Sequence, residues 1–239
     1  MPPRPATTPA GPAAGGAHPL PAAVLWDFDG TLVASEDYWI AEEYALVESF
    51  GGSWSQEHAH ALVGNELLTT GAYIAEHGPV PLPAAEIVDR LMVGVVDRLR
   101  AHVPWRPGVE RLLGEVAAAG IPQAMITMSY QSVVDPVLAA MAELGLPEFA
   151  AVITGEVVTR GKPDPEPYQR GLAALGVPAG RAVAVEDSRT GARSAAAAGL
   201  AVVVTPNAAP VTGEPGWWVL PDLADVHLAD LASHLATRP

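Results

Sequence analysis

The chain contains no cysteine. Disulfide bridges and thiolate zinc sites are therefore excluded, the fold must rest on its apolar core, and a cytoplasmic location is expected. Positive charge is scarce as well: 13 Lys and Arg stand against 27 Asp and Glu, for a net charge of −14. An acidic surface of that kind speaks against nucleic acid or an anionic membrane as a partner. Lysine is the rarest basic residue, with Lys162 alone among twelve arginines, in Gly161-Lys162-Pro163-Asp164-Pro165. No apolar run approaches the ~18 residues of a membrane span. The longest, Ala195 to Val204, falls well short. Neither the basic start nor the unbroken apolar stretch of a signal peptide is present in the Pro-, Ala- and Gly-rich residues 1–21, which read as a disordered tail.

What the chain does contain is organised around Trp26-Asp27-Phe28-Asp29-Gly30-Thr31-Leu32. The short apolar run Ala22 to Trp26 reads as a buried strand that delivers Asp27 and Asp29 into a turn, where Gly30 permits a sharp bend. Two acids held that close repel each other and ask for a hard divalent cation. Beyond this turn, helical patterns begin at Ser35 and recur near Gln56 to Val63, Glu66 to Glu76 and Pro83 to Arg100, with no strand between Val33 and Arg106. Strand and helix then alternate. Helices are expected over Pro107 to Ala119, Ser132 to Leu144, Glu166 to Leu175, Thr190 to Ala198 and Leu223 to Leu235, and strands over Ile121 to Thr127, Ala151 to Ile153, Ala182 to Val185 and Leu200 to Thr205. Such alternation predicts an α/β fold with a doubly wound, Rossmann-like parallel sheet in residues 22–33 and 107–239, and residues 34–106 form an inserted α-helical cap.

In sheets of this kind ligands gather at the carboxyl ends of the strands. Those ends carry Asp27 and Asp29, Thr127 and Ser129, Lys162, and Glu186-Asp187-Ser188. Carboxylates for Mg²⁺, a hydroxyl and one ammonium suit a phosphoryl group, whose charge lies on three oxygens. Glu186-Asp187-Ser188 also reads as a helix cap, with Ser188 as the capping residue and Asp187 as the ligand. Trp39, Trp54 and Trp105 are expected to pack the cap or its hinge, His58, His60 and His77 to lie on the surface, and Trp217-Trp218 to form a core edge or a contact.

Four motifs in this order, Asp27-Phe28-Asp29-Gly30-Thr31, Thr127, Gly161-Lys162-Pro163-Asp164-Pro165 and Glu186-Asp187-Ser188, resemble those of the haloacid dehalogenase superfamily, in its phosphatase-like branch with a helical cap. The resemblance implies a Mg²⁺-dependent phosphatase acting on a small phosphate ester. Asp27 would be the nucleophile that forms an aspartyl-phosphate, and Asp29 the general acid and base. Mg²⁺ would be held by Asp27, the Asp29 carbonyl and Asp187, with Glu186 beside them, while Thr127 and Lys162 hold the phosphoryl oxygens.

Carbon-halogen hydrolysis has no use for Asp29, and a non-catalytic binding protein would have lost acids that are all present. A β-phosphoglucomutase-like transfer is the alternative. That branch carries a histidine ten residues after the second aspartate, where this chain has Trp39, and an arginine after a cap glycine, where Gly64 is followed by Asn65, Glu66 and Leu67. Residues 33–106 also hold eleven acids against four arginines, a poor cradle for a bisphosphate. Hydrolysis is therefore expected. The sequence specifies neither the metabolite nor an oligomeric state.

Overall fold

A computed structural model of the chain describes residues 18–62 and 66–237. Most of the expected tail lies outside the described residues, but Pro21 is already buried and the Ala22 amide donates to the Arg181 carbonyl at 2.7 Å.

Six parallel strands form one sheet in the order β3-β2-β1-β4-β5-β6. They are β1 (Ala23–Trp26), β2 (Gln123–Ile126), β3 (Ala151–Ile153), β4 (Ala182–Glu186), β5 (Ala201–Val204) and β6 (Trp217–Val219). β1, β2, β4 and β5 are buried along their whole length, which is why their sequences are nearly continuous apolar runs. Side chains of β1 still alternate between two cores. Val24 and Trp26 join Leu112, Leu113, Val133 and Val137 on one face, and Ala23 and Leu25 join Ile126, Tyr168 and Ala195 on the other. The sheet is thus covered on both sides, by helices α5 (Val109–Ala118), α6 (Gln131–Glu143) and α9 (Leu228–Ala236) and by α7 (Glu166–Leu175) and α8 (Arg189–Ala197). Strand order reverses between β1 and β4, so the crevice at their carboxyl ends is where a ligand is expected.

Between β1 and β2 the chain forms α1 (Glu36–Ser49), α2 (Gln56–Leu62), α3 (Leu67–His77) and α4 (Ala84–Ala101). Their facing stripes enclose a separate apolar cluster of Leu46, Val47, Trp54, Ile74, Ile87 and Leu91. The last turns of α4 instead contribute Val95, Val96 and Leu99 to the main core. A bridge between Val33 and Trp105 ties together the two passes of chain into and out of this helical segment.

Three expectations are corrected. The helix foreseen from Pro107 begins at Val109, because Gly108 adopts a left-handed conformation at φ 81° and leaves Pro107 outside it. The final helix begins at Leu228 rather than Leu223, because the Leu223, Ala224 and Val226 carbonyls are turned toward the Arg111 guanidinium, at 2.8–2.9 Å. Ile121 closes the end of α5 through a bond to the Val116 carbonyl, so β2 starts two residues later than expected. The tryptophan pair is the edge strand β6, in register with Val202 and Val203.

Candidate active site

The first acid follows β1 directly, and its amide bonds the Val185 carbonyl of β4 at 2.9 Å, which fixes Asp27 at the crevice. Lys162 reaches the same point from the loop after β3. Its Nζ lies 2.6 Å from Asp27 Oδ1, 2.6 Å from Glu186 Oε1 and 3.0 Å from the Ile126 carbonyl. Burial works against the charge of this ammonium, but Asp27 and Glu186 outweigh it and hold Lys162 protonated, well above the usual lysine range. Tyr168, fully buried on α7, donates its hydroxyl to Glu186 Oε1 at 2.6 Å. Glu186 itself is completely enclosed, so burial and the charge of Asp27 raise its pKa to about 7 against the pull of Lys162.

Asp29 lies on the cavity side of the turn. Ser35 donates to its Oδ1 at 2.5 Å, Trp39 Nε1 reaches the same oxygen at 3.3 Å, and Ser129 donates to Oδ2. Burial pushes Asp29 upward and the charge of Asp27 adds to it, while the three donors pull the other way. Only the indole is an obligate donor. The two serine hydroxyls can rotate to accept, so the pocket accommodates Asp29 with or without its proton. Thr127, at the end of β2, is 1% exposed, lines the cavity, and accepts the Ser129 amide at 2.9 Å.

Gly30 makes this convergence possible. Its φ is 80°, and a Cβ there would collide with the Asp187 and Glu36 carboxylates. Asp187 consequently packs close to the turn. Oxygens of Asp27, Glu186 and Asp187 all lie within 4.8 Å of one another, and Asp27 Oδ2 is buried without a hydrogen-bond partner. Three buried carboxylates with one ammonium leave two negative charges uncompensated, which a divalent cation of oxygen-seeking character cancels. The donor set fits such an ion. Asp29 stands outside this cluster because its carboxylate is engaged by Ser35, Trp39 and Ser129. Ser188 meanwhile accepts the Gly191 amide at 3.0 Å and caps α8.

The structure thus brings Asp27, Asp29, Thr127, Lys162 and Asp187 to one place, around a cavity of about 310 Å³, with the enclosed Glu186 beside Asp27 and Asp187. It also adds residues that the sequence reading gave other work. Ser35 begins α1 without capping it, and its hydroxyl turns to Asp29 instead. Trp39 packs the cap and touches Asp29 as well. Glu36 does more than complement the helix dipole. It takes a hydrogen bond from Asn207 Nδ2, and burial together with the charge of Asp29 lifts it to about 7. Ser129 was already expected at the end of β2, and Ser35 could have been suspected as a small hydroxyl close to the Asp29 turn; Tyr168 and Asn207 carry no local signal.

Glu43, on α1, is a further buried acid in the cavity wall, 3% exposed and bonded to Trp54 Nε1 at 3.2 Å. Burial lifts it to about 7 against that bond. A carboxyl raised in the folded state favours folding while protonated, and the folded state loses this advantage as pH climbs from about 4.5 through about 7. Replacing Glu43 by Gln should therefore stabilise the fold more at pH 8 than at pH 5, by a margin of about 2–3 kcal/mol, measured as unfolding free energies by calorimetry at both pH values. An equal shift at both would show that Glu43 ionises freely in the folded protein.

Comparison with known proteins gives the same picture. The family model described as haloacid dehalogenase-like hydrolase matches residues 24–205. The chain is 32% identical over 200 residues to a phosphoglycolate phosphatase of Rhodospirillum rubrum, covering 77% of this chain and 79% of that protein. It is 30% identical over 187 residues to hexitol phosphatase A of Escherichia coli, covering 75% and 80% respectively. A crystal structure of a CbbY variant from Rhodobacter sphaeroides in complex with xylulose-(1,5)bisphosphate superposes with a TM-score of 0.80 at 29% identity, over 89% of this chain and 99% of that one. With its sheet, its turn and its acids at the predicted strand ends, this chain belongs to the haloacid dehalogenase-like hydrolases.

Proposed function

We propose that this phosphoric monoester hydrolase works with Mg²⁺, through a phosphorylated aspartate, on a small phosphorylated metabolite. The observation that carries the reading is the buried cluster of Asp27, Glu186 and Asp187, with its unpartnered Asp27 oxygen beside Lys162. Asp27 and Asp187 would hold the ion, together with the Asp29 backbone carbonyl, and Glu186 would stand next to them. When bound, Mg²⁺ supplies positive charge that lets an anionic nucleophile meet an anionic phosphorus centre.

In the first half-reaction Asp27 attacks phosphorus, the bond to the ester oxygen breaks, and Asp29 gives that oxygen its proton. Burial raises Asp29 and so favours its carrying this proton. In the second, Asp29 takes a proton from water, the hydroxide attacks phosphorus, and inorganic phosphate leaves with Asp27 restored. Lys162 and Thr127 stabilise the phosphoryl oxygens throughout, with Lys162 also holding Asp27 in place. Helices α1 to α4 act as a lid over the crevice and keep stray water out. The mutase alternative is weakened by Trp39, whose indole reaches Asp29 where that branch has a histidine.

Release of inorganic phosphate from a panel of phosphorylated metabolites is expected with Mg²⁺ present. A chelator should abolish it and added Mg²⁺ restore it, while saturating Mg²⁺ raises the melting temperature, since an ion at ~100 times its dissociation constant adds about 2.7 kcal/mol. Turnover indifferent to the chelator, or conversion of β-glucose 1-phosphate to an isomer with no phosphate released, would reject the proposal.

A further inference from the structure

The cavity wall holds two acids that hydrolysis leaves unused, Glu36, which is bonded to Asn207, and Glu43. Glu36, Trp39, Ile40 and Glu43 share one face of α1, at helical spacing. Trp39 reaches Asp29, so Glu43 stands one turn, about 5.4 Å, farther along the helix from the reacting centre. One Glu43 oxygen accepts from Trp54; the other has no hydrogen-bond partner among the described residues. None of the described residues that the helical segment contributes to the cavity lining is a cation. Its arginines are engaged elsewhere: Arg90 with Glu86, Arg98 with Glu42, Arg100 with Asp97, and Arg106 with Asn207. On the opposite wall Arg189 is paired with Glu214 at 2.9 Å.

We infer that Glu43 determines specificity by accepting hydrogen bonds from hydroxyl groups of the leaving group, so that the substrate is a polyhydroxylated monophosphate, a hexitol or hexose phosphate, and not a bisphosphate. A carboxylate with a free oxygen pairs with donors, and the indole of Trp39 beside it offers an apolar face for the carbon chain. A second phosphate in the same space would lose its water and meet no cation on the helical side, while Arg189 across the cavity is already committed to Glu214. The lift of Glu43 toward neutrality is compatible with hydroxyl partners, which accept as well as donate. At about 310 Å³ the cavity suits a single small molecule of this class.

This inference rests on the phosphatase reading. Its test is phosphate release by the full chain with Mg²⁺ from three kinds of probe: hexitol and hexose 6-phosphates, xylulose 1,5-bisphosphate, and phenyl phosphate. The best hexitol or hexose phosphate should exceed the bisphosphate in kcat/KM by about 100-fold or more, two decades being what an unpaired buried charge costs. Glu43→Gln, which keeps a partner for Trp54, should raise KM for that substrate more than it lowers kcat. Loss of the charge-assisted bond should lower kcat/KM for that substrate relative to phenyl phosphate about tenfold. Glu43→Leu, measured at a temperature where it is folded, must show the same drop in the ratio. Bisphosphate turned over as well as the monophosphates, or a variant that lowers phenyl phosphate equally, overturns the inference and leaves the phosphatase reading standing. No release from any probe overturns both.

Discussion

Asp27→Asn should lower phosphate release by at least ~10⁴-fold while the protein stays folded, because loss of a nucleophile removes a whole reaction route rather than one contact. The structure explains why the fold should tolerate it. Asp27 is one of three buried carboxylates within 4.8 Å, and its charge raises Asp29, Glu186 and Asp187. An amide there relieves repulsion, and Lys162 keeps Glu186 as its partner at 2.6 Å. The melting temperature without Mg²⁺ should be unchanged or higher. Paired measurements of phosphate release and thermal unfolding settle the matter, and activity within tenfold of the parent would remove Asp27 from the chemistry.

Lys162→Ala should have the second large effect, on stability as well as on turnover. Its ammonium, with a side chain 6% exposed, is the charge that balances Asp27 and Glu186, and stripping one partner from a buried ionic group costs about 3–5 kcal/mol. For a chain of this size that is roughly 10 °C in melting temperature. The deficit must also depend on pH. Burial and the charge of Asp27 already raise Glu186 against the pull of Lys162, so without the ammonium Glu186 titrates higher still in the folded protein and the folded state is disfavoured wherever it must ionise. Little is lost below pH ~4.5, where unfolded carboxyls are themselves protonated, and the loss grows toward pH 8. Melting curves of parent and variant without Mg²⁺, at pH 5 and 8, check the slope. A constant difference would mean that Lys162 contributes through packing instead of charge.

Much of this was legible in the sequence because it is encoded locally. Ala23 to Trp26 and Ala182 to Val185 are short apolar runs that only a buried parallel strand accommodates, and a motif residue at the end of such a strand has its position set by the strand. Asp27, Asp29, Thr127, Glu186 and Asp187 were expected together on this ground, and the structure places them at neighbouring strand ends, whereas Lys162 comes from the loop after β3. Boundaries were less legible: Gly108 and the Arg111 guanidinium each moved a helix start, one by backbone conformation and the other by capturing carbonyls more than a hundred residues away. Trp217–Val219 is too short to show a strand period by itself.

The sequence by itself determined the order of helices and of the first five strands, the helical insertion between the first two strands, and the acids, hydroxyl and ammonium available near the strand ends, since these follow from periodicity and from chemistry within a few neighbours. Only the tertiary structure decided how they are shared. Lys162 could pair with Asp27 and Glu186 only once β1 and β4 lay side by side, Tyr168 could reach Glu186 only across α7, and Trp39 and Glu43 joined the cavity only when α1 turned one face toward Asp29. Hydrogen bonds and ion pairs act over a few ångströms, and residues that far apart in the chain acquire such distances only through packing.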